Sequence, residues 1–278
     1  MRSLATALEI CGLTDVGKLR DHNEDAISFD TDIGLVILAD GMGGYNAGEV
    51  ASGIATQVMS EVMRAQLAAM PAHIKTAGSL WPVAHEMLLI AVDRSNSLIF
   101  QTAEQHPQCA GMGTTLVGAL FYDNHLAVAH VGDSRAYRFR QQELTQLSRD
   151  HSFLQEQIDA GLLTVAEARY APHKNLVTRA VGIAPMVQTE LHEYAVEPDD
   201  IYLFCSDGLS DMLDDASIEA ILSLQGNNLT LATQTLVEQA NAMGGKDNIS
   251  VVLVRIRRDF GVDDGIWKKV GGWFGASN

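Results

Sequence analysis

The stretch Leu35-Val36-Ile37-Leu38-Ala39-Asp40-Gly41-Met42-Gly43-Gly44 decides how this chain is read. An apolar, β-branched run ends abruptly on a carboxylate and a glycine-rich turn, which is the pattern of a buried strand delivering an acid to its end. The same device recurs twice. Ile201-Tyr202-Leu203-Phe204-Cys205 runs into Ser206-Asp207-Gly208, and Lys246-Asp247-Asn248 opens Ile249-Ser250-Val251-Val252-Leu253-Val254. A fourth acidic motif, Asn23-Glu24-Asp25, follows Arg20 in a polar loop. Carboxylates at the ends of buried strands, with few basic neighbours in sequence, need positive charge from elsewhere, and a divalent cation supplies it.

Around these motifs the pattern organises the chain. Residues 8–14 and 26–39 read as strands. Helical spacing runs from Asn46, read as a cap with Glu49 three positions on, to about Ala69, with Val50, Ile54, Val58, Val62 and Leu67 on one stripe. A second helix is expected over 80–103, and two helices in succession disfavour a doubly wound parallel sheet. Strands at 114–121, 126–131 and 136–139 are joined by short polar turns, as in antiparallel hairpins. The segment 152–170 reads as a polar helical excursion; strands return at 187–195 and 201–205, helices at 216–224 and 229–242, and a last strand at 249–257. The resulting fold class is α+β, two antiparallel sheets packed together with helices outside.

Bulk composition narrows the function. With 278 residues, 47% hydrophobic and 6 prolines, the chain reads as one domain over 1–258 with a tail over 259–278. A formal charge of −16 argues against nucleic-acid binding. Cys11, Cys109 and Cys205 follow no CxxC spacing, and no apolar stretch is long enough to span a bilayer, so a reduced, cytoplasmic setting and no integral membrane segment are expected. The tail residues Trp267, Lys268, Lys269, Trp273 and Phe274 read as docking or disordered sequence sooner than as a membrane contact.

Hard oxygen donors without His or Cys select Mg²⁺ or Mn²⁺. If Asp40 bridges two ions, Glu24 and the Gly41 carbonyl can complete one site, and Asp207 and Asp247 the other. Such a pair generates hydroxide near neutral pH and stabilises charge on phosphoryl oxygens. Arg20 is suited to fork two phosphate oxygens, with a structural pair to Asp21 or Glu24 as the plain alternative. Asp133 divides between closing a hairpin and holding metal; Asp25 and Asn248 read as hydrogen-bonding support; His151, Arg135 and the methionines from Met59 to Met70 read as structural. Gly43-Gly44 lacks the following Lys-Ser/Thr of a phosphate-cradling loop, which weakens a nucleotide-binding reading.

At these residues the chain resembles the metal-dependent serine/threonine protein phosphatases of type 2C, particularly their compact bacterial members, over about residues 9–257. The resemblance rests on Arg20 to Asp25, Asp40 to Gly44, Gly113-Thr114-Thr115, Val131-Gly132-Asp133-Ser134-Arg135, Asp150-His151, Thr178 to Gly182, Ser206 to Leu209 and Gly245 to Asn248, in that order. It implies a four-layer αββα sandwich with a cleft between the sheets. It further implies that a metal-bridging hydroxide attacks phosphorus directly, and that Asp40 bridges both ions. Glu24 and the Gly41 carbonyl would serve one ion, Asp207 and Asp247 the other. Asp25 would act through metal-bound water, and Asp133 would join Asp207 at a weaker third site. Residues 152–177 would form a flap beside the cleft, and the partners would be phosphorylated proteins, targets of a serine/threonine kinase, met by a monomer. Met42 stands where many eukaryotic members carry a histidine that donates a proton to the leaving group. The general acid is therefore unassigned, with metal-bound water the expected donor. The competing readings are a silent phosphoprotein-binding regulator, which would lack a metal carboxylate, and a nucleotide-binding enzyme.

Overall fold

The computed structural model describes residues 3–44, 47–75, 81–164, 167 and 176–262. Two antiparallel sheets carry the molecule. The first has the order β1-β11-β10-β7-β8, formed by β1 (Leu8–Asp15), β11 (Ile249–Ile256), β10 (Ile201–Cys205), β7 (Arg135–Arg140) and β8 (Glu143–Gln146). The second runs β2-β3-β5-β6-β9, from β2 (Asp25–Asp30), β3 (Leu35–Met42), β5 (Leu116–Tyr122), β6 (His125–Val131) and β9 (Glu190–Ala195), with the short β4 (Gly113–Thr114) paired to the end of β3.

Because side chains alternate along a strand, each apolar run feeds two cores. In β3, Leu35, Ile37 and Ala39 face the helices while Val36 faces the other sheet. In β10, Tyr202 and Phe204 enter the space between the sheets, whereas Ile201, Leu203 and Cys205 face outward. The second sheet is covered by α1 (Ala47–Ala69) and α2 (Val83–Gln105). The first is covered by α5 (Asp215–Gln225) and α6 (Leu229–Ala242), which follow the one-turn α4 (Asp207–Ser210). A strand with two dry faces reads as a continuous apolar run, which is why these segments showed no clean alternation. The layers are helices, sheet, sheet, helices, as the αββα reading required.

Several local expectations are corrected. Residues 26–39 are two strands of a hairpin, β2 and β3, because Gly34 adopts φ +70° and turns the chain after Asp30-Thr31-Asp32-Ile33. The fully buried face of α1 is made of Ala47, Ala51, Ala55, Met59, Met63 and Leu67; of the expected stripe Leu67 belongs to it, Ile54 and Val62 pack partly buried at its side, and Val50 is left exposed. Small residues win there because the helix lies close to the sheet. Ser60 at the same face bonds Ser28 Oγ of β2 at 3.0 Å. Pro82 starts α2 at Val83, since its missing N–H is tolerated only at a helix start. The expected Asn46 cap and the start of helix 80–103 at Leu80 lie outside the described residues. Strand β9 begins at Glu190 instead of 187, and β8 and α4 were not anticipated. Of the excursion 152–170, the helix α3 (Phe153–Asp159) is capped by Ser152 Oγ, which accepts from Gln155 N–H at 3.2 Å. Residues 263–278, with most of the tail, lie outside the described residues; Phe260 is buried between the sheets.

A polar rivet joins the sheets at the end away from the acidic motifs. Arg140, ending β7, donates to both carboxylate oxygens of buried Asp200 at 2.7 and 2.6 Å and to the Ala195 carbonyl of β9 at 3.1 Å. Asp200 Oδ2 also accepts from Glu197 N–H and Tyr202 O–H, so both carboxylate oxygens are hydrogen-bonded. Asp200→Ala removes two of the guanidinium's acceptors and leaves it Glu197 and the Ala195 carbonyl, and should cost about 2 kcal/mol of stability in urea denaturation. The activity of the fraction that remains folded should be unchanged.

Candidate metal centre

The acidic motifs, far apart in sequence, meet at one edge of the two sheets. Strands β2 and β3 pair so that Asp25 lies opposite Asp40. Glu24 immediately precedes β2, and its N–H donates to Asn248 Oδ1 at 2.8 Å, fastening the second sheet to the start of β11 in the first. Asn248 Nδ2 in turn donates to the carbonyls of Val16 and His22 at 2.9 Å each. Ser206, between β10 and Asp207, donates to Asp25 Oδ2 at 2.8 Å and accepts from Ser250 N–H at 3.0 Å. One hydroxyl thus ties three motifs together.

Asp40 is held from behind by the Gly113-Thr114-Thr115 segment. Its N–H donates to Thr115 Oγ1 at 3.1 Å, and its carbonyl accepts from Thr115 N–H and Thr114 Oγ1, both at 2.9 Å. Thr115 Oγ1 also pairs with Ser134 Oγ at 2.7 Å, which brings the Asp133 turn alongside. At Gly41 a methylene would lie 2.1 Å from the Gly48 carbonyl oxygen and 2.6 Å from that of Glu24. No side chain fits there, and the first turn of α1 closes onto the Glu24 loop.

The electrostatics follow from this crowding. Burial, then the charges of Asp25, Asp207, Asp133 and Asp247, hold the Asp40 carboxyl well above the usual carboxylate range. Asp207 is likewise held well above it, by burial and by Asp133, Asp211, Asp247 and Asp25. Burial pushes Asp25 and Asp133 each up to about 6, and Glu24 is raised by burial as well. Asp211 was not read from the sequence. It sits four residues after Asp207 across α4, and that D-x-x-x-D spacing was its only signal.

Three carboxylate oxygens here, Glu24 Oε1, Asp25 Oδ1 and Asp207 Oδ1, are buried with no hydrogen-bond partner among the described residues. Acceptors without donors, all oxygen, without His or Cys, fit a hard divalent cation. Arg20 pairs with neither Asp21 nor Glu24; its Nη2 donates to Asp247 Oδ2 at 2.7 Å, with about half of the Arg20 side chain exposed.

A second cluster has metal-like composition but different chemistry. One ligand-type atom from each of His130, His151 and Glu190 lies within 4.8 Å of the others. Gly132 N–H donates to His151 Nδ1 at 3.1 Å, so the ring proton sits on Nε2, 3.2 Å from Glu190 Oε1. Arg179 Nη1 stands 3.3 Å from that same Nε2 and 3.8 Å from Glu190 Oε1. The carboxylate already has its cation. His151 and Arg135, whose guanidinium grips both oxygens of Asp150, act as framework.

The comparisons with known proteins agree with this geometry. The protein phosphatase 2C family model matches residues 19–240. The chain belongs to the protein phosphatase 2C family. The serine/threonine phosphatase stp of Listeria monocytogenes is 35% identical over 245 residues, covering 87% of this chain and 93% of that protein. The crystal structure of the Mycobacterium tuberculosis serine/threonine phosphatase PstP/Ppp superposes with a TM-score of 0.80 at 35% identity, covering 91% of this chain and 100% of that one. The catalytic domain of serine threonine protein phosphatase PstP in complex with 2 manganese ions gives 0.77 at 35% identity, covering 90% and 99%. As a 2C phosphatase the chain shares the α+β sandwich of these structures. No helix among the described residues is long and apolar enough to cross a membrane.

The raised carboxyls have a measurable consequence. A carboxyl whose folded pKa exceeds its unfolded value holds more protons in the native state, so its contribution to stability falls as pH rises between the two values. For Asp25 that window runs from about 4 to about 6. In chelator, the wild type should lose stability across it relative to Asp25→Asn, a difference read as diverging melting temperatures. Adding Mn²⁺ at pH 7 should raise the wild-type melting temperature by supplying the missing positive charge. A flat difference between the two proteins would contradict the assignment.

Proposed function

We propose that this chain removes phosphate from phosphoserine and phosphothreonine in proteins by direct attack of hydroxide on phosphorus. The chain is a metal-dependent serine/threonine protein phosphatase of the 2C type. The observation that carries the finer reading is the convergence of acids from both sheets around buried carboxylate oxygens that lack donors. Asp40 is assigned to both of two Mn²⁺ or Mg²⁺ ions, with Glu24 and the Gly41 carbonyl on one and Asp207 and Asp247 on the other. Asp133 and Asp207, with Asp211 adjacent, are assigned to a weaker third. The manganese-bound PstP catalytic domain supports the ion count. When bound, such a pair supplies hydroxide at neutral pH and neutralises the phosphoryl oxygens.

The chain's own groups do the rest. Thr114, Thr115 and the Glu24 backbone fix the Asp40 strand end, so the acid needs no reorganisation. Arg20, exposed and held near the cleft by Asp247, is assigned to the substrate phosphate, whose two oxygens suit a guanidinium fork. Asp25 accepts from Ser206 and keeps a proton-accepting oxygen, Oδ1, toward the cleft floor, where it would orient solvent. Asn248 spans Glu24, Val16 and His22 and keeps the Arg20 loop in register with β11. Residues 1–258 are assigned to one catalytic domain, acting as a cytoplasmic monomer on targets of a serine/threonine kinase; of the flap expected over 152–177, residues 165, 166 and 168–175 lie outside the described residues.

Asp40→Asn should lower Mn²⁺-dependent hydrolysis of a phosphothreonine peptide by about 10³-fold or more. It should leave the melting temperature in chelator equal to or above that of wild type, since it removes a repulsive charge. Activity that survived this change would rule out the assignment.

Met42 carries no proton to donate after Asp40-Gly41. Aryl phosphates, whose leaving group departs without protonation, should therefore be cleaved faster than alkyl phosphoesters, and the excess should grow as pH rises. Equal rates across the pH range would point to a side-chain acid not assigned here.

A further inference from the structure

On a chain of net charge −16, the two loops that frame Arg20 carry a pair of exposed lysines, Lys18 and Lys246. The loops are bonded to each other: Lys18 N–H donates to the Gly245 carbonyl at 2.7 Å, and Leu19 N–H reaches the same oxygen at 3.3 Å. The lysine stems flank this junction. A point one bond out from the Gly245 Cα lies 3.2 Å from Lys18 Cγ. The corresponding point at Gly244 lies 3.7 Å from Lys246 Cγ and 3.8 Å from its Cε. Lys18 is two residues from Arg20, and Lys246 directly precedes Asp247, the residue that Arg20 grips at 2.7 Å. Leu19, between Lys18 and Arg20, is 71% exposed, so the segment stands out into solvent.

Two acids of these loops are already engaged, while Asp21, next to Arg20, stands exposed. Asp15 Oδ1 accepts from Gly17 N–H at 2.8 Å and Asn241 Nδ2 at 3.0 Å, and Asp247 is held by Arg20. Neither lysine forms an ion pair with a carboxylate among the described residues. An exposed charge is screened over about 8 Å at physiological ionic strength, so these ammonium groups act on what lies next to the Arg20 site and on little else. Against the chain's net negative charge, this rim offers an anionic peptide local cationic partners beside the Arg20 site.

We infer that Lys18 and Lys246 form a cationic rim that selects phosphopeptides carrying a further anionic group within a few residues of the phosphoresidue. That group is the carboxylate of an Asp or Glu, or a second phosphate. This rests on the phosphatase reading and names the substrate class for the same cleft.

The test measures kcat/KM with Mn²⁺ on a phosphothreonine peptide flanked by Glu, its Gln-flanked counterpart, a doubly phosphorylated version, and p-nitrophenyl phosphate. Wild type should prefer the Glu-flanked and doubly phosphorylated peptides over the Gln-flanked one by about three- to tenfold through KM, a preference that shrinks in 0.5 M salt. Lys18→Ala/Lys246→Ala should abolish the preference and leave p-nitrophenyl phosphate and the Gln-flanked peptide unchanged. Lys18→Arg/Lys246→Arg should restore it. A preference for the doubly phosphorylated peptide alone assigns the rim to phosphate; one for both assigns it to anions generally. If wild type cleaves all substrates without preference, or the Ala variant loses all of them equally, the rim proposal is wrong while the phosphatase reading stands. If nothing is cleaved, both fall.

Discussion

Mutual repulsion among carboxylates, at an edge where water is partly excluded, is the constraint on which this molecule turns. Two unit charges 4 Å apart interact by about 4 kcal/mol at the effective dielectric of a protein surface, so a group of acids cannot all remain ionised without a counter-charge. Here Asp40 and Asp207 are held well above the usual range and Asp25 and Asp133 near 6. Among these acids, the Arg20 guanidinium hydrogen-bonds Asp247 alone. Proton uptake relieves the strain in the bare protein; the proposed cations would relieve it in the loaded one, tying folding and function to the same charge deficit.

The fold sustains that deficit because its remainder is strongly apolar. Three cores, one between the sheets and one under each helix pair, make the strands rigid enough to present their ends without yielding. The polar crosslinks are divided between the two ends of the sandwich. The Arg140–Asp200 rivet closes one end, while Ser206, Asn248 and Thr115 organise the other. Each of those three small groups bonds across motifs, while Glu24 Oε1, Asp25 Oδ1 and Asp207 Oδ1 stay without donors among the described residues. The site is therefore rigid in its backbone and unsatisfied in its side chains, which suits a cation-loaded catalyst.

Much of this was legible in the chain. The apolar runs ending in Asp40 and Asp207, and the run opened by Asp247, announced strand termini carrying acids, because strand burial and an uncompensated carboxylate are both written in residue type. Helices and strands in the order strands, paired helices, strands, paired helices disfavoured a doubly wound parallel sheet. What was misread had separate local causes. The β-branched residues of α1 satisfied a helical stripe on paper, yet Ala47, Ala51 and Ala55 pack on the sheet because close approach rewards small side chains. The hairpin at Gly34 was missed because residues 26–39 were read as one strand through the polar Asp30-Thr31-Asp32 break, where Gly34 turns the chain. Asp211 was missed because a one-turn helix has no periodicity to detect.

Residue identity alone determined the chemistry on offer: oxygen donors without His or Cys, an excess of negative charge, and a guanidinium four residues before Glu24. Only the tertiary structure decided which of these meet. Antiparallel register set Asp25 opposite Asp40, the Ser206 hydroxyl drew Asp207 from the other sheet, and Arg20 took Asp247 over its sequence neighbours. It also separated two clusters of similar composition, since the guanidinium of Arg179 already answers Glu190 beside His151. Electrostatic partnership falls off with distance through space, and separation along the chain carries no such information.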